Sequence, residues 1–428
     1  MTVCSPASAD RPAVPMNADT DPARLVEMSD ASDASSPRWG RRDWLVGAGA
    51  LAAGTLLAGC GRGGADGLGV VAIEDTIPAQ LLRAFEQAAA PQGITGVQLR
   101  LLAGLEPLLD HLQDWQSGRS EPPDWRAWIP FLRPKQTGPV GSVTLLSHAW
   151  LPQAVRSGWL QPWPAWPEAI APTAQRGRWS AVALANAQGQ PDRAGSLWGI
   201  PYRWGTTALI YRPDKFAELG WEPRDWSDLW RPELRGKVVL LDRMRETIGL
   251  ALKRLGRSYN ELQPQEIADL PKTLAALHAQ ALVYADRDYI QPVLMGDAWV
   301  AVGWSNDLVA ALGRQKTLKA IVPQSGTALW ADLWVRPSRA PGSAELAALW
   351  AGLSWQPTLA QDLAGWFDAA PAVWLDGDRT WTSQPIRQAV LLPDAASLDR
   401  SDFIQPLPPE AIAQYRQLWQ TMRQANAT

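Results

Sequence analysis

Cysteine is almost missing from this chain: Cys4 and Cys60 are the only two in 428 residues. If the mature chain begins at Cys60, as argued below, a disulfide framework is excluded. Histidine is nearly as scarce. His111, His148 and His278 lie far apart with no ligand spacing, so no metal site and no cofactor is expected. No G-x-S-x-G nucleophile turn and no G-x-x-x-x-G-K-[ST] phosphate loop occurs, and Gly61-Arg62-Gly63-Gly64 reads only as tether, so nothing in the chain asks for an enzyme. An excess of charge is also lacking. The net charge is -3, and from residue 60 onward 36 acids face 35 bases, which argues against nucleic acid as the main partner. What is present is a globular composition, 46% hydrophobic and 19% charged, long enough for two lobes. Tryptophan is abundant, with 25 residues against 5 Phe, and most are expected to serve packing.

Residues 1–37 are rich in Asp, Ser, Ala and Pro without periodicity, a disordered composition. Arg38-Trp39-Gly40-Arg41-Arg42-Asp43-Trp44-Leu45 follows, then an apolar, uncharged run of 15 residues from Trp44 to Ala58, then Leu57-Ala58-Gly59-Cys60. The run falls short of the ~20 residues a membrane-spanning helix needs. Paired Arg41 and Arg42, a short apolar region and small residues before Cys resemble a twin-arginine lipoprotein signal, departing from the usual pattern at Gly40 and Trp44. The expectation is an exported protein on the periplasmic face of the cytoplasmic membrane, anchored by lipid at Cys60, with Gly61 to Gly69 as a flexible tether.

The rest is organised around Gly199 to Asp214, reading GIPYRWGTTALIYRPD. Its β-branched, aromatic and apolar run closes on Arg-Pro-Asp, a turn signal, and predicts a buried strand. Gly205 sits where the character changes, and Gly205/Thr206 is taken as an interlobe hinge. Strands are predicted at 68–73, 97–102, 141–147, 236–241, 298–303, 319–323 and 329–335. Helices are predicted at 78–90, 105–116, 148–157, 226–230, 343–354 and 408–424, with Asp242 capping a further helix that runs to Leu255. Repeated βα units broken by crossings predict an α/β protein of two doubly wound lobes on a multi-strand hinge. The lobes would be 60–205 plus 332–375 and 206–331 plus 376–428, after the leader 1–59. Ligands bind beyond the carboxyl ends of strands in such sheets, so the cleft between lobes is the expected site.

IPYRWGTTALIYRPDKF (200–216), DWSDLWRPELRGKVVLLDRMRETIGLALKRLG (225–256), VAVGWSND (300–307) and VPQSGTALWADLWVRP (322–337) together resemble the spermidine/putrescine-binding periplasmic proteins, receptors of polyamine-type ABC importers. The resemblance implies the two-lobed periplasmic-binding-protein type II fold, closure around a small solute and docking on a permease, with no enzyme activity; a monomer is expected. It places Glu246, Trp304, Trp330 and Asp332 at the ligand, with Ser147 as a contacting hydroxyl. Carboxylates pair with ammonium groups and aromatic faces line a methylene chain, so these residue types suit an amine-bearing solute.

Three departures bear on the ligand. The family has an acid where this chain has Arg243, the aromatic expected two residues after Ser147 is Ala149, and the first loop reads Ile73-Glu74-Asp75-Thr76-Ile77 without aromatics. Arg243 in the cleft would repel an ammonium and attract a carboxylate. The expected ligand is therefore small and amine-bearing, with a zwitterion or anion as the alternative. A lipoprotein that binds a protein partner through surface Trp residues is a further alternative.

Overall fold

A computed structural model describes residues 67–117, 141–376 and 390–425, apart from positions 95, 169, 176 and 367. The leader, Arg41, Arg42 and Cys60 lie outside the described residues. The segments that position the site are β1 (Leu68–Ile73), α1 (Ala79–Ala89), β2 (Val97–Leu102), α2 (Leu105–Ser117), β3 (Val143–Ser147), α3 (Leu151–Arg156), β4 (Gly199–Tyr211) and α4 (Pro213–Leu219). They continue as β5 (Val238–Leu240), α5 (Met244–Arg254), α6 (Leu270–His278), β6 (Ala281–Tyr284), β7 (Val300–Trp304), α7 (Ser305–Arg314), β8 (Lys319–Ile321), β9 (Ala328–Pro337), α8 (Ala344–Leu353), α9 (Pro357–Trp366) and α10 (Pro409–Gln424).

The strands lie in the order β2-β1-β3-β9-β4-β7-β5-β6. β1, β2 and β3 are parallel, as their intervening helices require, and β5, β6 and β7 are parallel for the same reason. Between these two groups β4 runs antiparallel to β9 and to β7, and its last three residues also pair antiparallel with β8. Its amino-terminal part, Gly199 to Thr206, pairs with β9, while Thr207 to Tyr211 pairs with β7. The change of partner therefore falls between Thr206 and Thr207, one residue from where the sequence placed the hinge. Burial of β4 on both faces explains why it reads as a continuous apolar run rather than an alternating one; Arg203 is its one partly exposed residue.

Five tryptophans, Trp179, Trp204, Trp226, Trp334 and Trp350, are among the largest fully buried side chains. Several buried indoles spend their N–H on backbone carbonyls: Trp204 on Pro371, Trp226 on Gly326 and Trp355 on Pro201. That is how a large apolar ring with one donor is accommodated inside a fold. A separate cluster joins α5, α6 and α10 through Ile248, Leu252, Leu274, Tyr415 and Leu418.

Three local expectations are corrected. The 226–230 turn is 3₁₀, fixed by a capping box between Asp225 and Asp228. The segment after β3 opens with a 3₁₀ turn, His148–Trp150, before α3 begins. Residue 242 does not cap α5: the extended residue before its first turn is Arg243, and the Asp242 carboxylate instead accepts from Arg423 Nη1 of α10 at 2.6 Å.

Candidate ligand site

Side chains alternate along a strand, so Arg203, Gly205 and Thr207 share one face of β4. At the first position, Arg203 Nε donates to Asp332 Oδ2 at 2.7 Å, and both side chains are mostly buried. Asp332 stands opposite Arg203 on β9 and opposite Ser147 on β3, which gathers these three residues at adjoining strands.

At the middle position the missing side chain of Gly205 makes room. Trp330, its register partner on β9, lies against it so closely that a Cβ there would sit 2.4 Å from Trp330 Cζ2 and 2.4 Å from Ser305 Oγ. Ser305 Oγ in turn accepts from the Thr206 N–H at 3.0 Å. Trp330 is partly exposed, and its indole N–H has no hydrogen-bond partner among the described residues.

At the third position Thr207 Oγ1 donates to Glu246 Oε2 at 2.8 Å, while Trp304 Nε1 donates to Oε1 at 3.3 Å. Thr207 and Trp304 are register partners on β4 and β7, so two strands aim their donors at one carboxylate from the first turn of α5. Burial pushes the Glu246 carboxyl above its usual range, and the Thr207 and Trp304 hydrogen bonds, then the Arg243 and Arg245 charges, pull it back. Trp304 is itself braced from behind. Its backbone N–H donates to Tyr289 Oη at 3.1 Å, and Tyr289 Oη donates to Asp307 at 2.6 Å.

Arg243 flanks this end, and its charge is met by Asp286, with Nε 3.0 Å from Oδ2. Burial pushes the Asp286 carboxyl upward, with the Arg243 guanidinium opposing. Arg245 is turned to structural use, donating to the carbonyls of Gln405 and Tyr259 and to Asn260 Oδ1. The structure thus groups Glu246 with Trp304, Trp330 with Gly205, and Asp332 with Ser147. Thr207, Arg203 and Asp286 escaped the sequence reading. Arg203 could have been noticed as the one charge inside an otherwise apolar strand, whereas Asp286 carried no local signal. Among the described residues no group of His, Cys, Asp and Glu could hold a metal ion, and no helix is long and apolar enough to cross a membrane.

This architecture is the two-lobed periplasmic-binding-protein type II fold. It is similar to the spermidine/putrescine ABC transporter substrate-binding protein of Streptococcus pneumoniae, with a TM-score of 0.64 at 18% identity, covering 84% of this chain and 99% of that one. A Treponema pallidum lipoprotein matches with a TM-score of 0.55 at 16% identity, over 83% of this chain and 99% of that one. Residues 131–372 match the profile of the bacterial extracellular solute-binding proteins, and the chain belongs to that family.

Two curated relatives refine the comparison. The putrescine/cadaverine-binding protein of Pseudomonas aeruginosa is 30% identical over 148 residues, 32% of this chain and 42% of that protein. The spermidine/putrescine-binding periplasmic protein of Salmonella typhimurium is 24% identical over 229 residues, 53% of this chain and 64% of that protein. The chain therefore spans less than two thirds of the length of either.

Proposed function

We propose that this chain is the extracytoplasmic receptor of an ABC importer, capturing a small amine-bearing solute and delivering it to a membrane permease. The observation that carries the reading is the Glu246 carboxylate, held by two neutral donors beside the Trp304 ring, with Trp330 of β9 lying against Gly205 on the face of β4 that carries Thr207. A carboxylate whose hydrogen bonds come from neutral donors is left without a bonded cation, a place an ammonium can fill, and indole faces attract the cation and cover its methylenes. Relatives named for putrescine, cadaverine and spermidine support this ligand class. The ion pairs at Asp332 and Asp286 favour a second reading, a zwitterion whose carboxylate turns toward Arg203 or Arg243.

Residues 60–205 plus 332–375 would form one lobe and 206–331 plus 376–428 the other, closing about Gly205/Thr206. A ligand that touches both lobes favours the closed state by its differential affinity. A lipid at Cys60 would hold the receptor at the periplasmic face of the membrane, as a monomer. Calorimetry on the native protein and Glu246→Gln tests the site. Loss of the charged partner should weaken an amine ligand by about ten- to a hundredfold. Equal affinity in both proteins would overturn the assignment of Glu246.

A further inference from the structure

We propose that Arg203 is the specificity-determining residue of this cleft: its guanidinium occupies the Asp332 carboxylate in place of a second ligand ammonium and so restricts the site to solutes with one amine. The inference rests on the receptor reading above and names the ligand within that class.

Arg203 and Thr207 lie four positions apart on one face of β4, about 13 Å at 3.3 Å per residue. The two acidic positions, Asp332 beside Arg203 and Glu246 beside Thr207, therefore stand at opposite ends of a stretch spanned by Trp330 against Gly205. Such spacing would suit a ligand with a cation at each end. The ends are not equivalent, however. Glu246 accepts from a hydroxyl and an indole, both neutral, whereas Asp332 is joined to a guanidinium at 2.7 Å.

A ligand ammonium can use Asp332 only by displacing Arg203 or by sitting beside it. Displacement would strand a mostly buried guanidinium, and coexistence puts two cations on one carboxylate. Arg203 is placed to do this by the register of β4 against β9, which sets it directly opposite Asp332. The Arg243–Asp286 pair does not relieve the block, because Asp286 is already matched to its own cation.

The test is calorimetry with putrescine, n-butylamine and 4-aminobutyrate on the native protein, Arg203→Gln, Arg203→Met and Arg203→Lys. Gln keeps a donor toward Asp332 without the charge, Met removes both, and Lys keeps the charge. Native protein should bind putrescine no more tightly than n-butylamine. Arg203→Gln should raise putrescine affinity about tenfold or more, leave n-butylamine nearly unchanged, and weaken 4-aminobutyrate. Arg203→Lys should behave as native, a pattern that a purely structural role would not produce. Arg203→Met gives the same readout if the Gln variant folds poorly. Tight native putrescine binding, unmoved in all three variants, would overturn the inference and leave the receptor reading standing. Binding of no amine by any of the four proteins would overturn the amine-receptor reading and this inference with it.

Discussion

Gly205→Ala should damage the fold and the site together, and the structure sets the scale. A Cβ at this position would lie 2.4 Å from both Ser305 Oγ and Trp330 Cζ2, and 2.6 Å from Trp330 Cε2. Ordinary contact begins near 3.4 Å, so the ring and the hydroxyl must together yield by about 1 Å. Overpacking of this kind costs about 1–3 kcal/mol. Replacing Gly by Ala in a strand returns about 0.5–1 kcal/mol through lower entropy in the unfolded chain. The balance is a net loss of up to about 2.5 kcal/mol, a fall in Tm of up to about 3 °C for a unit of this size. Ser305 cannot retreat freely, since it accepts from the Thr206 N–H, so the movement falls mainly on Trp330. Displacement of that ring should weaken an amine ligand by about tenfold. Thermal denaturation and calorimetry measure the two effects, with Gly104→Ala as control, where a Cβ would meet nothing within 4 Å. If Gly205→Ala matches that control in both assays, the close approach of Trp330 is refuted.

Other expectations follow from single contacts. His148 is buried, its Nδ1 accepts the Ala331 N–H at 3.1 Å, and burial holds its pKa down at about 4. The unfolded chain therefore takes up the proton first, so stability present above pH 6.5 is lost as the pH falls toward 4. That loss is about 3 kcal/mol; urea denaturation across this window should show it, and His148→Gln should flatten the curve, whereas an unaltered slope in the variant would assign the effect elsewhere. Tyr289→Phe removes a hydroxyl that accepts from the Trp304 N–H and donates to Asp307, and should cost about 1–3 kcal/mol in denaturation while loosening Trp304; a wild-type midpoint with wild-type ligand affinity would contradict the bracing role. Cys60→Ala should leave the exported chain in the soluble periplasmic fraction on cell fractionation, whereas a membrane-bound, full-length variant would indicate a signal anchor instead.

Short-range order was legible because it is written in local chemistry. The apolar run from Thr206 to Tyr211 and the Arg-Pro-Asp stop announce β4, and the helix expected over 343–354 is found as α8, Ala344–Leu353. The α5 start was misread because Asp242 is a good cap by composition, and nothing near it reveals that Arg423, 181 residues away, takes its carboxylate. The same limit applies to the site.

By itself the sequence determined the α/β character, the strand that changes partners, and the residue types at Glu246, Trp304, Trp330 and Asp332, since propensity, turn chemistry and motif spacing are properties of neighbouring residues. Only the tertiary structure decided which of those carboxylates is joined to a cation of the protein and which accepts its hydrogen bonds from neutral donors. Arg203 and Asp332 are 129 residues apart in the chain, yet strand register sets them 2.7 Å from each other. Glu246 meets Thr207 and Trp304 only because α5 delivers it to the junction of β4 and β7. Charge at a site is set by what lies within a few ångströms, where opposite charges compensate strongly, and that proximity comes from folding rather than from order along the chain.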